Sequence, residues 1–448
     1  MNHLNLDKNA NLYSVHKSEP VPGTSLTCII TDKFKSGCIT LNLLCGLKRD
    51  TASINALLPR VLRRGSANLP DIECITAALD DLYGVRIEPI VRKKGEIHSI
   101  GFYADFPDDR YIPDGESVAE NAVDILCDIL LSPCTENDLL KAEYVESEKS
   151  NLIDDISAVI NDKRGYAIER LIEEMCADEA YGVSKLGDED AVKAITPQSL
   201  TAHYHDVIKN SRIEILYCGS IAPEKINDIF KIALAELPER NYTEIPKTEI
   251  VYSPGPQAPY KYTEHLDITQ CKLVVGFRLG NSMKKPDIPA FMLLNAVYGG
   301  SVSSKLFLNV RERLSLCYYA GSMMDKHKGI MLVSSGVEYL KADVALNEIL
   351  KQLDNVKNGD ISELEFTSAK NSVITSVRSA LDRAGGLEEL YFDSVVSSVT
   401  YNPADLAEII DEVTVQRVIN AASCIKPDSI YILSGFEKNE SEAADVEA

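Results

Sequence analysis

The amino-acid sequence lacks long apolar segments and paired cysteines. Nowhere in its 448 residues is there a run of about 18 apolar residues, and the N-terminus lacks the basic and apolar stretches of a secretory signal. We therefore predict neither a membrane span nor export. The eleven cysteines form no C-x-x-C motif, which favours buried thiols in a reducing compartment and predicts a cytoplasmic protein.

Positive charge is also scarce. Lysine and arginine together number 46, against 68 aspartate and glutamate residues, and the formal net charge is -22 at pH 7. A surface that binds nucleic acid or anionic lipid has to be basic, so we exclude both as partners. The remaining composition is that of a globular protein, and the length suits two to four domains of roughly 100 to 200 residues.

The sequence contains none of the short motifs that mark a self-contained catalytic or phosphate site. It has no G-x-S-x-G nucleophile elbow, no P-loop and no G-x-G-x-x-G fingerprint. No two of its seven histidines lie four residues apart, which is the spacing of a helical zinc site. His203 and His205 are two apart, which places them about 200° apart around a helix, and we interpret both as partly exposed. We predict no metal site in this chain.

Two similar halves make up the chain. Strand patterns open the first half at residues 24–45, and a strand at 212–220 closes it. ALLPRVLRRGS resembles FMLLNAVYGGS 235 residues later, and RIEILYCGS resembles SIYILSGF 217 residues later. The shared order of these segments predicts an internal duplication.

This pattern predicts an α+β fold of two homologous halves, each a mixed β-sheet with helices packed on one face. We predict an N-terminal domain at residues 1–236 and a C-terminal domain at residues 263–436. Residues 237–262 are rich in proline and lack periodicity, which is typical of an extended linker. Residues 437–448 form an acidic tail.

Arg311 and Tyr318 are the side chains that we predict to carry chemistry. The arginine ends a predicted helix and the tyrosine begins the next strand, so a short turn can aim both into one cleft. A tyrosine hydroxyl can donate a hydrogen bond to the oxyanion of a tetrahedral intermediate, and a guanidinium can hold a carbonyl or carboxylate. The pair suits peptide-bond hydrolysis. The structural alternative is a surface arginine and a half-buried sheet tyrosine.

Two other segments have both a structural and a functional interpretation. Gly299, Gly300 and Ser301 form either a helix C-cap with a turn, or a backbone that passes close to a bound peptide. The glutamates between residues 143 and 148 have no histidine beside them, which is typical of a solvated helix face.

The segment YGGSVSSKLFLNVRERLSLCYYAG, residues 298–321, resembles the C-terminal signature of the insulinase/pitrilysin family of zinc metallopeptidases, in its short, mitochondrial-processing-peptidase-like form. The likeness consists of a glycine pair, Ser-Ser, Leu-Phe, Arg-Glu and a following tyrosine, and the order of both halves extends it over about residues 20–436. The resemblance implies that Arg311 and Tyr318 are the family's arginine–tyrosine pair, which completes the active site from the C-terminal domain.

By the same resemblance, the family's zinc motif H-x-x-E-H falls on residues 56–60. Ala56 and Arg60 stand at the two histidine positions, and Pro59 stands at that of the general-base glutamate. Alanine has no ligand atom, arginine brings a positive charge, and proline lacks a carboxylate and disfavours a helix interior. The third ligand, a downstream glutamate, would fall within residues 143–148.

The resemblance therefore implies a subunit with no zinc or other cofactor of its own. Some short members of the family work as pairs of unlike chains, in which one chain carries the zinc. We expect this chain to supply Arg311 and Tyr318 to a composite site that hydrolyses peptides, with a zinc-bearing homologous subunit as its partner. The alternative is a structural or peptide-binding scaffold. A hydrolase that works alone is disfavoured, because no nucleophile–base pair is visible.

Overall fold

The structure, a computed structural model, describes residues 13–241, 244–397 and 403–435. It divides into two compact units. Unit 1 consists of the chain up to residue 156 with residues 185–247 and 379–403, and unit 2 consists of residues 157–184, 248–378 and 404 onward. The units do not follow the predicted boundaries at 236 and 263, because each takes in a segment from the other half. The predicted acidic tail lies outside the described residues.

The strands of the described residues alternate with helices along both halves. The strands are β1 (Ser14–Ser18), β2 (Thr24–Ile30), β3 (Ser36–Gly46), β4 (Arg86–Lys94), β5 (Ile97–Pro107), β6 (Thr135–Glu136), β7 (Leu139–Leu140), β8 (Arg212–Gly219), β9 (Tyr260–His265), β10 (Cys271–Arg278), β11 (Cys317–Asp325), β12 (Ile330–Val337) and β13 (Lys426–Ser434). The helices are α1 (Arg49–Leu62), α2 (Ile72–Asp81), α3 (Val118–Leu131), α4 (Ala142–Ala158), α5 (Lys163–Met175), α6 (Glu189–Ala194), α7 (Pro197–Asn210), α8 (Pro223–Ala233), α9 (Ile288–Asn295), α10 (Ala342–Lys357), α11 (Glu363–Ala380), α12 (Ala384–Val396), α13 (Leu406–Asp411) and α14 (Val415–Ala422).

Unit 1 contains a six-stranded mixed sheet in the order β1-β2-β8-β3-β5-β4. Its neighbouring strands are antiparallel except β2 and β8, which run parallel. The central strand β3 is buried along most of its length, and Leu41 lies between Phe102 and Ile215 on the flanking strands. A strand that is buried at successive residues is covered on both of its faces.

Unit 2 contains a five-stranded sheet in the order β11-β12-β10-β13-β9, in which only β13 and β9 are parallel. Without β1, and counted from its opposite edge, the unit 1 sheet has the same order and the same pattern of parallel and antiparallel neighbours. The strands β4, β5, β3, β8 and β2 correspond to β11, β12, β10, β13 and β9. The predicted α+β fold and its internal duplication are confirmed.

In addition to the predicted helical layer, one helix from the second half of the chain covers the other face of the unit 1 sheet. Neighbouring residues of β3 point to opposite faces, so Ile39 packs into the main core while Cys38 faces the other way. On that second face lie three side chains of α12, at helical spacing: Leu387, Tyr391 and Phe392. The buried carboxylate of Glu388 accepts hydrogen bonds from Arg92 at 2.8 and 3.2 Å and from Thr40 at 2.8 Å.

The corresponding helix of the first half, α5, packs within unit 2. Its apolar face meets the sheet at residues that include Leu171 and Val274. Beyond the end of α5, the carboxylate of Glu179 lies 2.6 Å from both Arg278 and Lys328, two cations that are almost completely buried. Each sheet therefore has one helix on its second face that comes from the other half of the chain.

Sequence patterns missed two edge strands and the start of one helix. β9 begins inside the predicted linker and pairs in parallel with β13. The short β1 is exposed at four of its five residues. Neither has the apolar run by which strands are predicted. The sequence pattern predicts a helix over residues 55–64, whereas α1 already begins at Arg49, since its first turn is polar. Within the described ranges, none of the helices combines the length and apolarity that crossing a bilayer requires.

Candidate functional site

Helix α1 of unit 1 carries the positions at which the resemblance places the zinc motif. Ala56 is completely buried in the main core, and Pro59 is buried one turn later. The ring of Pro59 removes one backbone donor from the helix, yet the helix continues, and the Pro59 carbonyl accepts a 3.1 Å hydrogen bond from Arg63. These two positions now serve packing, and they offer no ligand atom.

Arg60 occupies the second histidine position and pairs with helix α4. Its Nη2 lies 2.7 Å from Oδ2 of Asp155. Just beyond the C-terminal end of α1, Nη1 of Arg64 lies 3.1 Å from Oε1 of Glu148. The carboxylate that pairs with Arg60 is therefore Asp155, in a later part of α4, while Glu148 of the stretch 143–148 pairs with Arg64. The Arg60 guanidinium thus pairs with the Asp155 carboxylate at the position where the resemblance places a metal ion.

The remaining carboxylates of the acidic stretch point to solvent. Glu143 lies 3.5 Å from Lys141, and Glu146 lies 3.1 Å from Lys149. Both glutamate side chains are more than half exposed, at 75% and 62%. They form the solvated helix face that the sequence predicted, whereas Glu148 is buried against Arg64.

No cluster of three or more histidine, cysteine, aspartate or glutamate side chains that could hold a metal ion occurs within residues 13–241, 244–397 and 403–435. At the positions of the zinc motif, the donor set is a methyl group, a pyrrolidine ring and a guanidinium, and these groups do not fit zinc. The side chains that this chain presents at α1 therefore cannot bind the family's metal.

A buried polar network beside α1 was not predicted from the sequence. The amide of Asn55 donates from Nδ2 to Nδ1 of His98 at 3.2 Å and accepts at Oδ1 from Nε2 of His203 at 2.7 Å. Burial lowers the pKa of His98 to about 4, and it also lowers the pKa of His203. Both imidazoles are neutral at pH 7, and His203 is partly exposed, as predicted. His205 is exposed, as predicted.

The glycine segment lies in unit 2, where a π-helical turn at residues 296–300 follows α9. Gly299 is buried, and a Cβ atom there would lie 2.7 Å from the backbone nitrogen of Ser322 on β11. A Cβ on Gly300 would lie 2.6 Å from Nδ2 of Asn295. Neither glycine has a positive φ, so close packing rather than a left-handed cap requires them. The Ser301 hydroxyl donates to the Ala296 carbonyl at 2.9 Å.

Arg311 and Tyr318 lie on the two sides of the tight turn that leads into β11. Arg311 belongs to the π-helical segment 306–313, where its guanidinium stacks over the ring of Phe307 at 4.7 Å and lies 3.5 Å from Glu312. The turn includes Ser315 in a left-handed conformation with φ 49°. The Arg311 side chain is 42% exposed, so part of its donor fork stays accessible to a ligand.

A β-bulge determines the direction of Tyr318. Cys317 pairs with Val337 and Tyr319 pairs with Gly336, which leaves Tyr318 as the extra residue on β11. Bulges of this kind turn a side chain out of the regular alternation of a strand. Tyr318 is 64% exposed in consequence, and within the described residues its hydroxyl makes no hydrogen bond. The spacing of the motif could reveal the pair, but it could not reveal the bulge.

The chain resembles known peptidases and peptidase-like proteins over nearly its whole length. Residues 194–373 match the peptidase M16 inactive domain. The chain is 31% identical over 415 residues to YmfF, a probable inactive metalloprotease of Bacillus subtilis strain 168, and the match covers 93% of this chain and 96% of that protein. It is 22% identical over 321 residues to the beta subunit of the mitochondrial-processing peptidase of Saccharomyces cerevisiae, with 66% of each chain covered.

A solved structure supports the same relationship. The crystal structure of a conserved protein from Enterococcus faecalis V583 superposes with a TM-score of 0.86 at 26% identity. The superposition covers 95% of this chain and 99% of that chain. The similarity therefore extends through both units.

Proposed function

The chain belongs to the peptidase M16 family, as its resemblance to the insulinase/pitrilysin peptidases predicted, and we propose that it is a subunit without zinc that completes the peptide-hydrolysing site of a homologous chain. The partner would hold the zinc, which activates a water molecule for attack on the peptide. This chain would contribute Arg311 and Tyr318. A peptide is the substrate in this proposal, and Gly299, Gly300 and Ser301 lie beside its path.

The contrast between the two motif regions carries the proposal. In unit 1 the positions of the zinc motif are packed into the core or paired with Asp155, so they offer nothing to a substrate. In unit 2 the arginine and the tyrosine stay exposed, and a bulge turns the tyrosine outward. An exposed tyrosine on a bulge adds nothing evident to the stability of a scaffold, so its presence supports a role toward a ligand.

Each side chain has a defined task in this proposal. The Tyr318 hydroxyl donates a hydrogen bond to the oxyanion that forms when water attacks the scissile carbonyl. The Arg311 guanidinium holds a neighbouring carbonyl or carboxylate of the peptide by its fork of donors. Phe307 beneath the guanidinium limits its motion through a cation–π contact, which keeps the fork oriented.

The test is reconstitution with a zinc-bearing homologous chain from the same organism. The two chains are co-expressed, and cleavage of a quenched-fluorescent peptide library is measured for the complex and for each chain alone. We expect activity from the complex and none from this chain alone. Tyr318→Phe should lower kcat of the complex by about 10²–10³-fold, which is the effect of losing one oxyanion donor.

Matched variants separate this role from a structural one. Tyr339→Phe removes the hydroxyl of another half-exposed tyrosine, and Arg313→Ala removes an exposed arginine two residues from Arg311. Both should leave kcat close to that of the wild type, whereas Arg311→Ala should lower it. If a stable complex shows the same activity with and without the Tyr318 hydroxyl, the scaffold alternative replaces the proposal.

A cytoplasmic location belongs to the same proposal. All eleven cysteines are free thiols in the structure. This state suits a reducing compartment. Localisation of a fluorescent fusion of the full chain would test this point separately from the reconstitution.

A further inference from the structure

Unit 2 contains a cavity between α9, α11 and the end of β11, with a volume of about 280 Å³. Its wall is apolar and includes Ile288, Phe291, Met324 and Val373. The π-helical turn at residues 296–300 forms part of the lining. Turns of this kind are rare and are frequently found at functional sites. An engineered cavity of about 150 Å³ holds a benzene molecule, so this cavity has room for a ligand of about ten non-hydrogen atoms.

The corresponding gap in unit 1 is closed by an ion pair. By the order of elements, α9 and α11 are the counterparts of α1 and α4. In unit 1, Arg60 of α1 lies 2.7 Å from Asp155 of α4. The counterpart of Arg60 is Asn295, whose shorter side chain makes no hydrogen bond to α11 within the described part of the chain. The gap between the two helices therefore remains open in unit 2, and the cavity occupies it.

The side-chain amide of Asn295 offers a donor to this cavity. Its Oδ1 accepts a 2.8 Å hydrogen bond from the hydroxyl of Ser322, which fixes the orientation of the amide. Among the described residues, Nδ2 donates no hydrogen bond. A Cβ atom on Gly300 would lie 2.6 Å from Nδ2, so glycine at this position leaves the donor uncovered. A ligand with an acceptor oxygen can therefore bind to Nδ2.

The other polar groups of the lining can also donate hydrogen bonds. Lys326 follows β11 directly, and Ser372 and Ser376 lie one turn apart on α11. No aspartate or glutamate is among the described residues that line the cavity, although the chain contains 68 of them. A carboxylate can accept hydrogen bonds from all of these groups, whereas a cationic ligand would meet a lysine and no opposite charge.

We propose that the cavity binds an aliphatic monocarboxylate of about ten non-hydrogen atoms, such as octanoate. Its hydrocarbon chain packs against the apolar wall, and its carboxylate accepts a hydrogen bond from Nδ2 of Asn295, with Lys326 as the counter-ion. Each further CH₂ group that is buried should raise the affinity about fourfold. Binding needs neither zinc nor a partner chain, so this site goes beyond the proposed function and does not depend on it.

Isothermal titration calorimetry on the full chain tests this assignment. The probes are butanoate, hexanoate and octanoate at pH 7, together with octylammonium, which has a hydrocarbon chain of similar length and the opposite charge. We expect saturable binding of one octanoate per chain and a Kd that falls about fourfold with each CH₂ group. Octylammonium should bind at least about tenfold more weakly than octanoate.

Two pairs of variants locate the binding site. Ser376→Phe fills the cavity from its exposed rim, and Thr375→Phe places the same side chain on the neighbouring exposed position of α11. Asn295→Asp keeps the acceptor for Ser322 but places a negative charge beside the ligand's carboxylate, and Asn281→Asp adds the same charge at an exposed position outside the cavity. We expect Ser376→Phe and Asn295→Asp to raise the Kd of octanoate at least about tenfold, while their controls keep the wild-type value.

Several outcomes would overturn the proposal. These are the absence of saturable octanoate binding, equal affinity for octylammonium, and equal effects of a variant and its control. A peptide that ends in leucine presents the same chemistry at the end of a chain, so tighter binding of acetyl-Ala-Ala-Leu than of octanoate would reject a free monocarboxylate as the ligand. Failure of octanoate binding leaves the subunit role standing, because reconstituted activity is measured without this ligand, and failure of the reconstitution leaves the cavity's ligand standing.

Discussion

In α1, the residues at the positions of the zinc motif take part in packing and ion pairing and provide no metal ligand. Arg60 places a cation against Asp155, but the two side chains are 22% and 54% exposed, so this ion pair contributes at most about 1 kcal/mol. Ala56 has a larger influence on stability, because it is completely buried. A histidine there would overpack the core at a cost of roughly 1–3 kcal/mol. The packing around residue 56 therefore disfavours a histidine side chain at this position.

The buried His98 predicts a loss of stability in mild acid. Burial lowers its pKa from 6.5 to about 4. A backbone hydrogen bond at Lys185 opposes this shift, and the charges of Lys93 and Lys185 add to it. Between these two pH values the unfolded chain binds a proton that the folded chain does not, so stability is fully present above about pH 6.5 and falls as the pH decreases toward 4. At roughly 1.4 kcal/mol per pKa unit, this single residue should cost about 3 kcal/mol at pH 4.

Urea denaturation at several pH values measures this effect, and His98→Gln is the control. Glutamine can keep a hydrogen bond to Asn55 but does not titrate. The difference in unfolding free energy between the wild type and this variant should therefore shrink or change sign as the pH falls from 7 to 4. A constant difference would mean that His98 is not the group that titrates.

At the scale of elements, the exchanged helices are the main feature of the fold. Each compact unit keeps one helix from the other half of the chain, α12 in unit 1 and α5 in unit 2. Both are held by an apolar face and by buried ionic groups, Glu388 for α12 and Glu179 after α5. The two helices occupy equivalent places in the order of elements that both halves share. The exchange is therefore part of the internal duplication.

Glu388→Ala should weaken the attachment of α12. The variant leaves the half-buried Arg92 without its bidentate partner and Thr40 without its acceptor. Loss of one partner of a buried pair costs about 3–5 kcal/mol, and we expect the lower end because Glu389 lies 3.7 Å from Arg92. Hydrogen exchange should show faster opening of α12, with unit 2 unchanged.

Glu389→Ala is the matched control on the same helix. That side chain is 47% exposed, and its removal should cost less than about 1 kcal/mol. Equal acceleration of exchange in both variants would show that the buried carboxylate does not anchor the helix.

The sequence predicted the elements better than their arrangement. The helical spacing of Leu387, Tyr391 and Phe392 predicts a buried face for α12. It does not predict which sheet this face packs against. The same limit applies to the site. Arg311 and Tyr318 stand in one short motif and could be found there, whereas Asn55 meets His98 and His203 across 43 and 148 residues of sequence. Contacts at such distances follow from the fold and not from local pattern.

On the scale of the whole molecule, duplication provided two equivalent helices, and neither retains a zinc motif. The segment that corresponds to residues 56–60 in the second half is FMLLN, residues 291–295, which is equally free of histidine and glutamate. The whole chain has only seven histidines, and two of them lie in the network with Asn55. Neither helix therefore offers the ligands of an H-x-x-E-H zinc motif.

Metal content and activity of the isolated chain test this conclusion together. We expect no zinc in stoichiometric amount by elemental analysis and no cleavage of a mixed peptide library. A chain with a net charge of -22 attracts divalent cations loosely, so the protein should first be treated with a chelator, supplied with zinc and dialysed. Loosely held zinc leaves during dialysis, whereas a tetrahedral site keeps one ion per chain. One retained zinc ion together with cleavage would place the metal away from α1 and show that the chain works alone. An empty chain that gains activity only with a zinc-bearing homologue would assign the metal to the partner.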